Sequence, residues 1–257
     1  EVRLGALKAS QPGAKLDRFD QCVGAVLGQK KICTHQGSLL NFPALPAIQF
    51  FDDDEFPWLP ELEAATDTVH GELMNLLEED IKKFRPYVAY TPGTPVNQWH
   101  ELNHSERWSG YFLWEKGQRI DDHCARCPKT AALMERLPLV HIPGFAPTVM
   151  FSVLSPHTHI PPHSGVTNTR LIGHLPLVVP ENCRFRVGNE TRRLVRGKAW
   201  LFDDSIEHEA WNDSDETRII LMIDVWNPRV SEAERPLISE LLNGMRDFYR
   251  EDLAALE

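Results

Sequence analysis

After Pro147 the chain breaks into short β-rich runs separated by turn residues at steady spacing, and this texture restricts its fold more than any other feature. The runs are Thr148 to Leu154, Thr167 to Val179, Cys183 to Val187, Thr191 to Val195, Lys198 to Phe202, Glu207 to Trp211 and Thr217 to Trp226. Seven such runs in roughly eighty residues predict a double-sheet jelly roll or barrel. Ahead of them, Leu62, Ala65, Val69, Leu73, Leu76, Leu77 and Ile81 recur at three and four, the spacing of one helical face. They predict a helix from Glu61 to about Phe84, lying across one sheet. Trp108 to Trp114 reads as a strand followed by a polar hairpin at 115–118, and Pro128 to Leu137 as a short helix opened by proline. Ser231 to Leu253, with Leu237, Leu241, Met245 and Phe248, predicts a closing amphipathic helix. The expectation is one mainly β domain over residues 42–257 with flanking helices and a β core at about 148–228. Residues 1–41 stand apart as a segment whose role is not readable.

Composition narrows the partners. The net charge of -10 argues against a nucleic-acid scaffold, since phosphate binding needs an excess of Lys and Arg on one face. No apolar stretch approaches the ~20 residues a membrane-spanning helix needs. Five Cys scattered over a long chain do not make a disulfide framework, so a reduced, cytoplasmic setting is expected, with Cys124 and Cys127 in structural roles. The chain begins Glu-Val-Arg-Leu rather than with Met, which reads as part of a longer or processed polypeptide. The oligomeric state is not readable.

Histidine carries the chemistry. Three cluster at His157, His159 and His163, and on an extended chain residues two apart point the same way, so spacing leaves open which of them share a face. His208 follows a strand that turns at Asp203 to Glu207 and resumes toward Trp211, which places it at a barrel mouth. Two histidines on neighbouring strands can face one metal, but the usual iron triad adds a carboxylate, and two positions after His163 stands Gly165. Arg218 opens an apolar strand as its single cation. Such a buried guanidinium requires an anion, either a nearby Asp or Glu or a bound carboxylate gripped by its planar fork.

The blocks His163 to Leu177, Gly188 to Thr191, Gly197 to Glu209 and Arg218 to Trp226 together resemble the aspartyl/asparaginyl β-hydroxylase family in order and spacing. The resemblance implies a double-stranded β-helix of the cupin-like type and an Fe(II)- and 2-oxoglutarate-dependent dioxygenase that consumes O2. It implies His163 and His208 as the iron ligands, with Gly165 at the place other oxygenases give to a carboxylate. It implies Arg218 on the distal carboxylate of 2-oxoglutarate, with Ser152 and His174 as polar helpers.

The chain departs from the animal peptide-hydroxylating members at two places. Arg170 matches one of their two basic substrate contacts, but the other position is Ile172; Cys124 matches one half of their disulfide, but the other position is Ala131. The expected substrate is therefore a small molecule or peptide bearing an Asp- or Asn-like group, with Arg170, and Arg107 or Arg186, as its anchors. A lipid acyl chain or a carrier-bound amino acid is the alternative substrate. A non-catalytic barrel binding a metal or carboxylate is the alternative class.

Overall fold

The computed structural model describes residues 2–79 and 81–249. In chain order the strands are β1 (Arg85–Pro86), β2 (Trp108–Glu115), β3 (Gln118–Arg119), β4 (Val149–Leu154), β5 (Thr158–His163), β6 (Arg170–Val178), β7 (Cys183–Val187), β8 (Glu190–Arg193), β9 (Trp200–Phe202), β10 (His208–Asn212) and β11 (Arg218–Trp226). The helices are α1 (Val2–Ala9), α2 (Asp17–Val26), α3 (Leu59–Ala64), α4 (Thr66–Glu79), α5 (Asp121–Arg126), α6 (Pro128–Met134) and α7 (Glu234–Tyr249).

The core strands are shared between two antiparallel sheets. One has the order β1-β2-β4-β11-β6-β9, with β3 on β2, and the other runs β5-β10-β7-β8. Apart from the β7–β8 hairpin, consecutive strands from β4 to β11 pass from one sheet to the other, so the chain winds as a double-stranded β-helix with flanking helices. Strands β4, β6 and β11 are buried on both faces, which is why they read as near-continuous apolar runs.

Helices α3 and α4 bring Leu59, Leu62, Val69, Leu73 and Leu76 into one cluster with Leu171, Leu175 and Leu177 of β6 and Leu221 and Ile223 of β11. The expected helix across a sheet is therefore present, but as two helices and a 3-10 turn at Ile81–Lys83. The break falls at Ala65, beside Thr66, whose hydroxyl donates to the Glu63 carbonyl at 2.6 Å and competes with the helical ladder. The β2–β3 hairpin turns through Lys116 and Gly117 at φ 49 and 79, the left-handed pair that a two-residue hairpin needs.

Three expectations change. Helix α5 precedes the predicted helix α6 and buries Cys124, whose thiol donates to the Leu113 carbonyl at 3.4 Å; all five cysteines are free. Strand β5 escapes a propensity reading because it contains Pro161 and Pro162, which lack the ladder donor; it is tolerated because β5 is an edge strand. The final helix spans Glu234–Tyr249, its start fixed by the Ser231 amide and hydroxyl donating to the Glu234 carboxylate at 2.9 and 2.7 Å. Leu253 lies outside the described residues. No helix among the described residues is long and apolar enough to cross a membrane.

Candidate active site

Between the sheets lies a cavity of about 960 Å³, and Ser152, His163, His174, His208 and Arg218 all line it. His163 ends β5 and His208 begins β10, and the two are direct antiparallel partners with ring centroids 4.0 Å apart. His163 reaches this position through an irregularity. Ile160 pairs with Ala210 and His163 with His208, so Pro161 and Pro162 together face Glu209 alone. That bulge reverses the side-chain parity of the strand. His163 consequently shares the inner face with Ile160, and His159 points outward to pair with Glu209 at 2.8 Å and stack on Trp211. His157 pairs with Asp215. Simple alternation would put all three histidines on one face, and the bulge separates His163 from the other two.

The protonation of the pair is set by its neighbours. His163 Nδ1 lies 2.8 Å from the Pro161 carbonyl and His208 Nδ1 lies 3.0 Å from the Ile206 carbonyl. A carbonyl only accepts, so each Nδ1 carries the proton and each Nε2 keeps a lone pair. Burial lowers His163 to about 4 and drives His208 well below the ordinary imidazole range, the neighbouring His163 adding to the effect. Both rings are neutral at pH 7. Two neutral imidazoles, each oriented by a backbone carbonyl, are the donor set a divalent transition metal takes. No group of three or more His, Cys, Asp or Glu among the described residues is placed to hold a metal.

At Gly165 a side chain has no room, because an added Cβ would overlap the carboxylate of Asp204. The Gly165 amide donates to the Asp204 carbonyl at 2.6 Å, locking the two loops together. Asp204 is buried, and burial raises it to about 7 against the opposing pull of Arg170. Arg170 lines the cavity, but its guanidinium donates to Asp224 at 2.6 Å and to Asp204 at 3.3 Å. Arg107 and Arg186 do not line it. The former donates to the His157 carbonyl at 2.9 Å, the latter to the Gly188 carbonyl at 2.6 Å and Glu207 at 2.9 Å.

Arg218 is 4% exposed, and its Nη1 has no hydrogen-bond partner. No carboxylate among the described residues pairs with it. Burial lowers it only to about 10, so it remains charged, and an uncompensated buried charge facing a cavity calls for an anion. Ser152 sits on β4, opposite Ile220 of β11, and accepts from Trp108 Nε1 at 3.2 Å. Burial and the Arg218 charge hold His174 well below its ordinary value, so it too is neutral.

Some lining residues gave no signal in the sequence. Trp99 packs edge-on against His163 with centroids 4.9 Å apart, although it comes from a single 3-10 turn, Asn97–Trp99, after a Pro- and Gly-rich stretch. Gln36, Ser38 and Leu39 come from the N-terminal segment, more than a hundred positions from the nearest histidine of the pair.

Residues 63–228 match the family described as Aspartyl/Asparaginyl beta-hydroxylase. The human aspartyl/asparaginyl beta-hydroxylase is 35% identical over 206 residues, covering 78% of this chain and 25% of that protein. The ornithine lipid ester-linked acyl 2-hydroxylase of Rhizobium tropici is 34% identical over 199 residues, covering 76% of this chain and 66% of that protein. The human aspartate beta-hydroxylase domain-containing protein 2 is 36% identical over 134 residues, 51% of this chain and 36% of that one. The chain spans about a quarter of the length of the human and mouse hydroxylases it resembles. The family match spans both histidines, Gly165 and Arg218, and the chain belongs to the aspartyl/asparaginyl β-hydroxylase family.

Proposed function

We propose that the chain is an Fe(II)- and 2-oxoglutarate-dependent dioxygenase. It hydroxylates an unactivated C–H, the β-carbon of an aspartyl or asparaginyl residue or of a related small carboxylate-bearing substrate. The observation that carries this reading is the pairing, in one cavity, of two Nε2 lone pairs with an unpartnered buried Arg218 nitrogen. Iron and 2-oxoglutarate, when bound, supply the oxidant drawn from O2 and the decarboxylation to succinate.

His163 and His208 would hold the metal, and their carbonyl-bound Nδ1 protons keep the rings from turning. Arg218 would grip the distal carboxylate of 2-oxoglutarate, with the Ser152 hydroxyl beside it and a neutral His174 that adds no competing charge. Ile172, Phe185, Phe202, Ile220 and Met222 line the cavity with these groups and exclude water, which strengthens the Arg218–carboxylate attraction. Arg170, held by Asp224, fixes the Asp204 carboxylate beside Gly165.

A second reading, hydroxylation of a lipid acyl chain, is supported by the similarity to the Rhizobium tropici acyl hydroxylase. The internal pairing of Arg170 also leaves it less available to a substrate carboxylate. Succinate formation from 2-oxoglutarate with Fe(II) and ascorbate, for the native chain and for His208→Ala, tests the proposal. Turnover by the native chain and none by the variant is expected. Equal turnover by both removes His208 from the site, and none by the native chain across Asp, Asn and acyl substrates supports a binding module instead.

A further inference from the structure

The cavity is much larger than a metal and a five-carbon diacid require, and one of its walls lies outside the matched family region of 63–228. Residues 35–42 run across the loops that carry Gly165 and Asp204 and are pinned there. The Gln36 amide donates to the Ser205 carbonyl at 2.7 Å, and the Ser164 hydroxyl donates to the Gln36 carbonyl at 3.0 Å. Ser38 donates to Gly165 at 3.2 Å and Leu39 to Val166 at 3.0 Å, while the Asn168 side chain holds both backbone groups of Phe42. His35 Nδ1 lies 3.0 Å from the Ser205 hydroxyl and its Nε2 lies 3.0 Å from the Leu45 carbonyl. With this many partners the strap is part of the folded domain.

What the strap presents to the cavity is chemically divided. Gln36 and Ser38 are polar, whereas Leu39 belongs to an apolar cluster with Ile142, Phe145, Ala146 and Leu242, every one of which also lines the cavity. The strap, the 140–146 loop and α7 therefore meet in one apolar cluster, in which Ile142, Ala146 and Leu242 are buried behind Leu39 and Phe145. A strap that only covered the core would bury Leu39 completely, yet Leu39 and Phe145 are half-buried and border open space.

We propose that Leu39 is a specificity-determining residue, and that with Phe145, backed by the buried Ile142 and Leu242, it forms a subsite for an aliphatic chain of the substrate beyond the hydroxylated carbon. The subsite rests on the hydroxylase reading of the same cavity. It needs no cation, which suits a cavity whose lining Arg170 is already engaged by Asp224 and Asp204.

The test is calorimetric binding of N-acylglycines of increasing chain length to the full chain loaded with Zn(II) and 2-oxoglutarate, which fills Arg218 and does not turn over. Affinity rises roughly three- to fourfold per added methylene, the gain from burying one CH2. Leu39→Asn flattens the ladder with 2-oxoglutarate affinity unchanged, Leu39→Met retains it, and Leu39→Trp ends it at a shorter chain. A rise that stops at four carbons assigns a leucine-sized side chain, and one that continues to ten assigns an acyl chain. A flat ladder in the native chain, or an unaltered slope in Leu39→Asn, overturns the subsite. Succinate formation reports separately: an intact ladder without it leaves the subsite standing and removes the hydroxylase reading, and a flat ladder with it does the reverse.

Discussion

The carboxylate of Asp204 occupies the volume that a side chain at Gly165 would need, so an acidic side chain at 165 and the Asp204 carboxylate exclude each other. Asp204 cannot easily withdraw, because the loop around it is tied by the Ser205 amide and hydroxyl donating to Asp203 at 3.0 and 2.6 Å and by the Gly165 amide. Gly165→Ala is expected to cost about 1–3 kcal/mol through overpacking and loss of the Asp204–Arg170 contact. Gly165→Asp is expected to lose stability without gaining iron affinity, since its carboxylate enters space already filled by another. Thermal melts and chelator competition check the pair. Tighter iron retention in Gly165→Asp would show that Asp204 yields.

Buried groups at the site pull the pH dependence of stability in opposite directions. His163 is lowered to about 4, and His174 and His208 well below 6.5, all chiefly by burial. The unfolded chain binds these protons first, so stability falls as pH drops below 6.5. Asp204 is raised from 3.8 to about 7, again by burial. There the folded chain holds the proton longer, so its contribution is present below 3.8 and is lost as pH rises through about 7. Asp204→Asn removes only the second slope. The variant is expected to lose more stability than the native chain between pH 7 and pH 5, read from urea midpoints of the metal-free proteins, and parallel profiles would sink the assignment.

Arg218 combines deep burial with an unpartnered nitrogen, an arrangement that costs the fold stability unless an anion meets it. Arg218→Met is expected to leave the ligand-free melting temperature unchanged or higher, because an apolar side chain of similar length replaces an uncompensated charge. The same variant is expected to lose the stabilisation that 2-oxoglutarate confers on the native chain, a linkage effect that grows with ligand over Kd. Melts with and without 2-oxoglutarate separate the two effects. A large destabilisation without ligand would mean that Arg218 is structural.

Arg218 was legible as a buried cation, because it opens a strand whose apolar run carries it into the core. The larger sheet was legible because strands buried on both faces leave long apolar runs, as in Arg218–Trp226. Asp204 was not. Nothing in its spacing tells that its side chain turns into the space beside Gly165 rather than toward a metal, since that depends on a loop closed by Asp203 and Ser205. Leu39 and Trp99 were hidden for a related reason: one reaches the cavity from an irregular segment and the other from a single 3-10 turn, and no local periodicity records a contact made across the fold. The inward turn of His163 was hidden by the two prolines, which weaken the strand signal at the point where parity changes.

That parity can be tested by counting residues. In the native register Pro161 and Pro162 share one partner, Glu209, between the pairs Ile160–Ala210 and His163–His208. Deleting Pro161 alone leaves one residue opposite Glu209, which regularises the strand and keeps His163 facing His208. Deleting both prolines moves His163 opposite Glu209, and because successive side chains alternate faces, its ring turns out of the cavity. Co(II) titration is therefore expected to give near-native binding for the single deletion and a loss of at least tenfold for the double deletion, with thermal melts showing that both fold. Retained binding in the double deletion would mean that strand register does not determine which way His163 points.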